Sequence, residues 1–201
     1  SGLWTFSTLG WPDATSDLAT FHPTDVMETA YEILFFWVAR MILMTTALVG
    51  QVPFRTVYLH GLVRDAKRQK LSKSKAYSAD PLDLIARYGT DALRMALIFN
   101  TAPGTDSILS EEKIKGMKHF VNKLWNIARF IEMQNGESKF TVERLQLRVE
   151  KQTEAGKDIL QKLDTATTET TRALNDLRIH EAAQTLYHFV WNEFADRYIE
   201  A

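Results

Sequence analysis

Cysteine is absent from all 201 residues, and its absence excludes disulfide bonds and thiolate metal sites. Four of the five histidines are too scattered in sequence to form a pattern of metal ligands, namely His22, His119, His180 and His188, and we expect no metal site. The formal net charge is only -1, so any affinity for nucleic acid must come from local patches. The opening "SGLWTFSTLGW" lacks the basic start of a signal peptide, and we expect a cytoplasmic protein.

Residues 33–50, "ILFFWVARMILMTTALVG", form the longest apolar run of the chain. Arg40 stands at its centre, where a cation would cost about 2.5–3.5 kcal/mol inside a bilayer. We therefore predict a buried core helix, packed on more than one side, and not a membrane span. Thr24 is its predicted N-cap, Asp25 and Glu28 suit its first turn, and Gly50 is its predicted end.

A short strand is predicted next, because "RTVYLHG" after Pro53 is rich in β-branched and aromatic residues. A loop opens at Gly61, at the carboxyl end of that strand. Parallel α/β sheets bind their ligands at such ends, so this loop has a suitable position for a site.

The remainder of the chain is predicted to be helical. Asp80 followed by Pro81 predicts the start of a helix that ends at Gly89, and "TDALRMALIFN" predicts a second short one. "TAPGTDSILS" breaks the pattern and is compatible with a brief extended segment. Ser110 is the predicted cap of a long amphipathic helix, and two further helices are predicted beyond residue 143.

A cluster of cations lies between residues 64 and 75, "RDAKRQKLSKSK". Lysines and serines a few residues apart suit a phosphate-bearing ligand, because an ammonium can follow phosphate oxygens as charge redistributes. The P-loop pattern is missing, since Gly61 is too far from the lysines. Composition alone favours an ordinary solvated loop, and an anion site is the alternative.

"KLSKS" at 70–74, ten residues past "VYLHG", resembles the second signature of the class I aminoacyl-tRNA synthetases. Longer runs, among them "TAYEILFFWVARM" (29–41), "VYLHGLVRDAKRQKLSKSK" (57–75) and "DPLDLIARYGTDALRMAL" (80–97), resemble the valine-handling branch of that family. The resemblance implies a partial Rossmann-like nucleotide-binding fold followed by an all-α helical-bundle anticodon-binding domain, with helix predominating. Residues 1–79 would be the C-terminal part of the catalytic domain, 80–109 a helical connector, and 110–201 the N-terminal part of the anticodon-binding domain.

The resemblance also implies the site residues and the partners, which are ATP with its Mg²⁺, valine and the valine-specific tRNA. The predicted catalytic residues are Lys70 and Lys73. The predicted ATP-binding residues are Lys70, Ser72, Lys73, Ser74, His60 and Gly61. The predicted walls of the amino-acid pocket are Trp4, Glu32, Ile33 and Trp37, although large apolar residues at helical spacing are also typical of plain core.

The first signature of the family, His-x-Gly-His, is absent from these residues. The resemblance places it upstream, so we expect a fragment that is inactive alone and belongs to an ATP-dependent ligase. The sequence also departs from the family pattern at Ala30, Arg68, Ala76 and Tyr77. These departures leave an alternative open, namely a catalytically silent relative that binds tRNA or nucleotide.

Overall fold

The structure is a computed structural model that describes residues 1–64, 68–69, 80–134 and 153–199. The chain divides into two compact units. The first unit consists of residues 1–63 and 102–107, and the second consists of residues 64–101 and 108–201. Each unit has its own packed residues and is described separately.

The first unit is built around two parallel strands. Its elements are α1 (Trp4–Ser7), α2 (Ser16–Phe21), β1 (Thr24–Ala30), a 3₁₀ turn (Tyr31–Ile33), a π-helical segment (Leu34–Val38), α3 (Ala39–Val49) and β2 (Phe54–His60). Thr24 pairs with Phe54 and Ala30 pairs with His60, so both strands end at the same edge. The predicted strand after Pro53 and the predicted helix end at Gly50, where φ is +76°, are confirmed.

The prediction that a helix begins at Thr24 is wrong, because residues 24–30 form β1. Pairing with β2 satisfies this backbone, and the two carboxylates that suggested a first helical turn serve another purpose. Asp25 lies 2.9 Å from the guanidinium of Arg55, and Glu28 lies 3.1 Å from the imidazole of His60. Each pair joins β1 to β2, so tertiary pairing overrides a local capping pattern.

Among the residues that the structure describes, the apolar run is packed on one side only. Val38 and Met41 are fully buried and form a small core with Phe54. Phe35 is 77% exposed, and Phe36 and Leu43 are each 71% exposed. The prediction of a helix covered on more than one side is therefore not met by the described residues. Tyr31–Val49 is long and apolar enough to cross a membrane by length and composition, which alone is weak support for a span.

A second, two-stranded sheet pairs β3 (Val63–Arg64) with β4 (Ser107–Ile108). The backbone N–H of Ser107 donates to the carbonyl of Leu62 at 2.9 Å. The brief extended segment predicted within residues 101–110 is thereby confirmed.

The second unit is helical. It contains α4 (Pro81–Tyr88), α5 (Thr90–Ile98), α6 (Glu111–Gln134), α7 (Glu154–Asn175) and α8 (Ile179–His188), and a π-helical segment (Phe189–Ile199) continues α8. Its core includes Leu84, Ala96 and Ile114, which are almost fully buried. The predicted fold class, a small α/β part with helix predominating, is confirmed.

Helix starts in this unit follow the predicted side chains. The Asp80 carboxylate accepts the N–H of Leu82 at 2.9 Å, and the Ser110 hydroxyl accepts the N–H of Lys113 at 3.2 Å. The helix predicted beyond residue 143 is described from Glu154, where the Thr153 hydroxyl accepts the N–H of Gly156. Residues 135–152 lie outside the described part of the chain.

Candidate active site

The shared edge of β1 and β2 holds two of the predicted ATP-binding residues, His60 and Gly61. His60 Nε2 lies 3.1 Å from Glu28 Oε1, and its Nδ1 lies 2.7 Å from the carbonyl oxygen of Gly61. Both partners are acceptors when Glu28 is ionised, so both contacts are hydrogen bonds together only if the ring carries both protons. This arrangement fixes the imidazole at the end of β2.

Tyr58 is the neighbour of this pair on β2, opposite Glu28. Burial, followed by the negative charge of Glu28, raises the pKa of the Tyr58 phenol above its ordinary value. Tyr58 is therefore a neutral hydroxyl at physiological pH.

Residues 102–107 form a loop that lies against the end of β2. Gly104 donates its N–H to the carbonyl of Leu59 at 2.9 Å. The Asp106 carboxylate accepts the N–H of Leu62 at 2.8 Å and the hydroxyl of Tyr31 at 3.1 Å. A Cβ added to Gly61 would lie 2.0 Å from the carbonyl oxygen of Thr105, so only glycine fits here. For this loop, only a break in the helical pattern with a brief extended segment is predicted from the sequence.

The predicted pocket residues lie elsewhere in the first unit. Glu32 and Ile33 belong to the exposed 3₁₀ turn after β1, and Trp37 packs half-buried against the Val38 core. Trp4 lies on α1 and is 67% exposed. The rings of Trp4 and Trp37 make no contact with each other. Whether they form the walls of one pocket remains a prediction.

A buried hydrogen bond determines which face of α1 is exposed. The hydroxyls of Thr5 and Thr45 lie 3.1 Å apart and join α1 to α3. Phe6 is fully buried on the same short helix, and its ring meets that of Trp11 edge-on at 5.3 Å. With Thr5 and Phe6 facing inward, the Trp4 ring faces outward and is available to a ligand.

The lysine–serine part of the predicted site lies outside the described residues, namely Lys70, Ser72, Lys73 and Ser74. Arg68, just before it, is described and has a φ of +61°, in the left-handed region. The family that the sequence resembles usually has glycine at this position. The backbone there keeps a glycine-like conformation although the residue is arginine.

The basic side chains of α6 are largely engaged within the second unit. Lys113 is about half buried, which lowers its pKa, and lies 3.5 Å from the Thr101 hydroxyl. Lys118 donates to the carbonyl of Arg87 at 3.2 Å, and Lys123 forms an ion pair with Asp196 and lies 4.7 Å above the Trp191 ring. These contacts agree with the expectation that charge alone does not make this helix an RNA-binding face.

Family models identify both parts of the chain. A model of class I tRNA synthetases (I, L, M and V) matches residues 1–110, more than half of the chain. The chain belongs to the class I tRNA synthetases. A second model, of the anticodon-binding domain of tRNA ligases, matches residues 156–201.

Curated relatives of this class I chain are valine–tRNA ligases. That of Dehalococcoides mccartyi (strain CBDB1) is 50% identical over 200 residues, and that of Solibacter usitatus is 48% identical over 200 residues. The ligase of Geobacter sulfurreducens is 49% identical over 201 residues. Each match covers 100% of this chain but only 22–23% of the relative.

Solved structures of class I synthetases share the fold. Mycobacterium tuberculosis methionyl-tRNA synthetase, in complex with methionyl-adenylate, superposes with a TM-score of 0.73 at 22% identity, covering 92% of this chain and 36% of that one. The agnB2 LeuRS of Agrobacterium radiobacter K84, in a ternary complex with tRNA and LeuAMS, gives 0.69 at 17% identity, covering 85% and 22%.

Proposed function

We propose that the protein containing this chain is a valine–tRNA ligase. It activates valine with ATP as enzyme-bound valyl-adenylate and transfers the valyl group to its tRNA. The observation that carries this proposal is the identity of about half of all residues, over the full length of the chain, to ligases of that name from several bacteria. A synthetase of this kind acts in the cytoplasm, where its tRNA is found.

The reaction needs charge stabilisation more than covalent chemistry. A carboxylate oxygen of valine attacks the α-phosphorus of ATP, the bond to the bridging oxygen breaks, and pyrophosphate leaves with the negative charge. Lys70 and Lys73 are the proposed catalytic residues, because ammonium groups can stabilise the charge that moves to the departing pyrophosphate. Ser72 and Ser74 supply hydroxyl donors to the same phosphates.

The adenosine is proposed to lie against His60 and Gly61. Gly61 lacks a Cβ, and the Thr105 carbonyl lies in the space that a Cβ would need. Mg²⁺ is proposed to enter with the triphosphate. The part of the chain that the structure describes has no group of three His, Asp or Glu side chains that could hold a metal, and Mg²⁺ commonly uses substrate phosphates as ligands.

Valine is proposed to bind where Trp4, Ile33 and Trp37 offer apolar surface and Glu32 offers a carboxylate. An exposed Trp4 ring and a half-buried Trp37 ring suit a small apolar side chain held between them. A site of this size distinguishes one methylene by only about 1–3 kcal/mol.

The tRNA is proposed to contact the helical part of the protein. We propose the boundaries 1–79 for the catalytic part, 80–109 for the connector and 110–201 for the anticodon-binding part. The match of residues 156–201 to an anticodon-binding model supports the last assignment.

A catalytically silent relative is the second candidate, and Arg68 favours it. A non-glycine residue in the left-handed region costs about 1–2 kcal/mol, here next to the loop proposed to hold the triphosphate. Such a protein would bind nucleotide or tRNA without activating valine.

Valine-dependent ATP–pyrophosphate exchange by the whole protein separates the two candidates. Exchange with valine, and much less with isoleucine, supports the ligase, whereas ATP binding without exchange supports the silent relative. Lys73→Ala should reduce exchange by about a few hundredfold, the usual effect of removing one well-placed charge from a transition state. Lys157→Ala, which changes an exposed lysine of α7, is the matched control.

Unchanged exchange in the Lys73→Ala protein would show that the lysine–serine loop is not the site. Residues 1–201 alone should show no exchange, because they lack the His-x-Gly-His signature. Exchange by these residues alone would contradict that expectation.

A further inference from the structure

One carboxylate joins the ends of the two parallel strands. Asp106 Oδ1 accepts the backbone N–H of Leu62 at 2.8 Å, just after β2. The same oxygen accepts the phenolic O–H of Tyr31 at 3.1 Å, just after β1. Asp106 thus bonds to both strand ends from a loop that belongs to neither strand.

The loop that carries Asp106 is held by backbone bonds on both sides of it. Gly104 donates to the carbonyl of Leu59, and Ser107 donates to the carbonyl of Leu62, each at 2.9 Å. Thr105 donates to the carbonyl of Ala102 at 3.1 Å, which closes the turn. The position of the carboxylate is therefore set by main-chain geometry and not by the freedom of a long side chain.

Backbone contact at Gly61 shows how closely the loop approaches the strand. The Thr105 carbonyl and the Asp106 amide nitrogen lie 2.0 and 2.5 Å from where a Cβ of Gly61 would be. The loop backbone therefore packs against one side of the peptide between Gly61 and Leu62. The Asp106 carboxylate accepts the N–H of the same peptide. His60 and Gly61, beside this peptide, are the residues proposed to contact adenosine.

We infer that Asp106 is a positioning residue for ATP. It holds the Gly61–Leu62 peptide and the Tyr31 hydroxyl in one fixed arrangement, so the end of β2 presents a preformed surface to the nucleotide. It acts through these neighbours and does not itself touch the reacting atoms. This inference rests on the proposed function, because it takes His60 and Gly61 as the adenosine side of the site.

The inference predicts different effects on the binding of ATP and on the binding of valine. Leu62 and Gly61 lie on the proposed adenosine side, whereas Trp4 and Trp37 lie on separate elements. Loss of the carboxylate leaves the Leu62 N–H without this acceptor and lets the peptide rotate. ATP should then bind more weakly, while the affinity for valine should remain close to that of the wild type.

The test uses the whole protein and five variants, four of them single and one that combines Asp106→Ala with Tyr31→Phe. Asp106→Ala removes the acceptor, Asp106→Asn keeps an oxygen at the same place without the charge, and Tyr31→Phe removes one of the two donors. Asp13→Ala is the matched control, because Asp13 is exposed in the same unit and its side chain bonds to no residue that the structure describes. The measurements are the Kd of MgATP by titration calorimetry and the KM values for ATP and valine in exchange.

Asp106→Ala should raise the Kd and KM for ATP by about tenfold, as expected when a partly buried N–H loses its acceptor. Asp106→Asn should restore most of the affinity, and Tyr31→Phe should have an intermediate effect. The double variant with Asp106→Ala and Tyr31→Phe should be no worse than Asp106→Ala alone, since both changes remove the same bond. Asp13→Ala should equal the wild type.

The outcomes separate this inference from the proposed function. An unchanged Kd for ATP in Asp106→Ala overturns the inference, even if the wild type exchanges valine. An equal loss of ATP and valine affinity, without recovery in Asp106→Asn, also overturns it, because it indicates a general structural role. A wild type that binds ATP without exchange removes the ligase proposal but leaves the Kd series to decide the role of Asp106. A wild type that does not bind ATP refutes both.

If Asp106→Ala fails to fold, Tyr31→Phe carries the decision. Under the inference, Tyr31→Phe weakens the binding of ATP and leaves the binding of valine unchanged. A Tyr31→Phe protein with wild-type affinity for ATP would then refute the inference.

Discussion

The carbonyl oxygen of Thr105 occupies the space that a side chain on Gly61 would need, with only 2.0 Å between them. Gly61→Ala must therefore displace the backbone of residues 102–107, and overpacking of this kind costs about 1–3 kcal/mol. Amide hydrogens of Gly104 and Ser107 should exchange faster, as measured by hydrogen exchange with mass spectrometry on the whole protein. ATP should also bind more weakly.

Gly116→Ala is the control for that change. A Cβ at Gly116, in the interior of α6, would meet no other atom within 4 Å, and alanine in a helix is favoured over glycine by about 1 kcal/mol. Gly61→Ala should therefore lower the stability of the protein, whereas Gly116→Ala should raise it. Wild-type rates of amide hydrogen exchange around residues 102–107 in the Gly61→Ala protein would contradict the close contact between Gly61 and Thr105.

Arg68→Gly should make the protein more active in exchange, not less. The residue already has a left-handed backbone with a φ of +61°, and glycine adopts this conformation without the penalty of about 1–2 kcal/mol. Relief of that strain should lower the KM for ATP. Arg94→Gly, in the middle of α5, is the contrasting change and should destabilise its helix. A loss of exchange in Arg68→Gly would indicate that the guanidinium itself is needed.

Acid should weaken the junction between α4 and α6. The Tyr88 hydroxyl donates to Glu111 Oε2 at 2.5 Å, and the Arg87 guanidinium donates to Oε1 at 3.1 Å. These bonds, that of Tyr88 first, hold the pKa of Glu111 below its ordinary value. Because the folded pKa is lowered, this stabilisation is complete above the unfolded pKa and is lost as the pH falls through the folded one.

The check is the thermal unfolding midpoint measured from neutral to acidic pH. Glu111→Gln should be less stable than the wild type at neutral pH, and the difference should shrink in acid. Glu132→Gln, an exposed position near the end of the same helix, should follow the wild-type curve. A constant difference at every pH would show that the ionisation of Glu111 does not contribute.

Residues 1–201, produced alone, should self-associate through the exposed side of the apolar helix. Phe35, Phe36 and Leu43 are each more than 70% exposed, and exposed apolar patches favour association. Phe36→Ser with Leu43→Ser should reduce the concentration dependence of light scattering. Leu82→Ser changes an equally exposed leucine on α4 and should have little effect. A monomer at all concentrations would contradict this prediction.

Trp37→Ala should change the choice between valine and isoleucine. If the ring is a wall of the pocket, its removal should raise the KM for valine and let isoleucine compete better, by up to the roughly 1–3 kcal/mol that one methylene provides. The KM for ATP should stay constant. Trp125→Ala, which changes an exposed ring of α6, is the control. Unchanged discrimination in Trp37→Ala would show that this residue is only core.

The predictions from sequence succeeded where local chemistry determines structure. Asp80 before Pro81 and Ser110 before Glu111 both cap helices, because a side-chain oxygen satisfies a nearby N–H regardless of the rest of the fold. They failed at Thr24, where a strand partner thirty residues away supplies the backbone bonds. Asp25 and Glu28 fit either outcome, and only the pairing with β2 decides between them.

The candidate site was predictable to the same extent. The end of β2 and the lysine–serine loop can each be recognised from a short sequence motif. The family resemblance then predicts a role for each. Asp106 was not predicted because it lies 44 residues from Leu62, whose backbone N–H donates to it. The sequence around Asp106 indicates only a turn. Pro103 and Gly104 indicate a tight bend there, but no local pattern says which strand the bend meets.

The separation between Leu62 and Asp106 also sets an order of events during synthesis. The N–H of Leu62 leaves the ribosome 44 residues before the carboxylate that will accept it. At translation rates of about 5–20 residues per second, the strand end waits about 2–9 s for its partner. During that interval the nascent chain has β2 but not the loop that fixes its end. The surface proposed for the nucleotide can therefore form only after residue 107 has emerged.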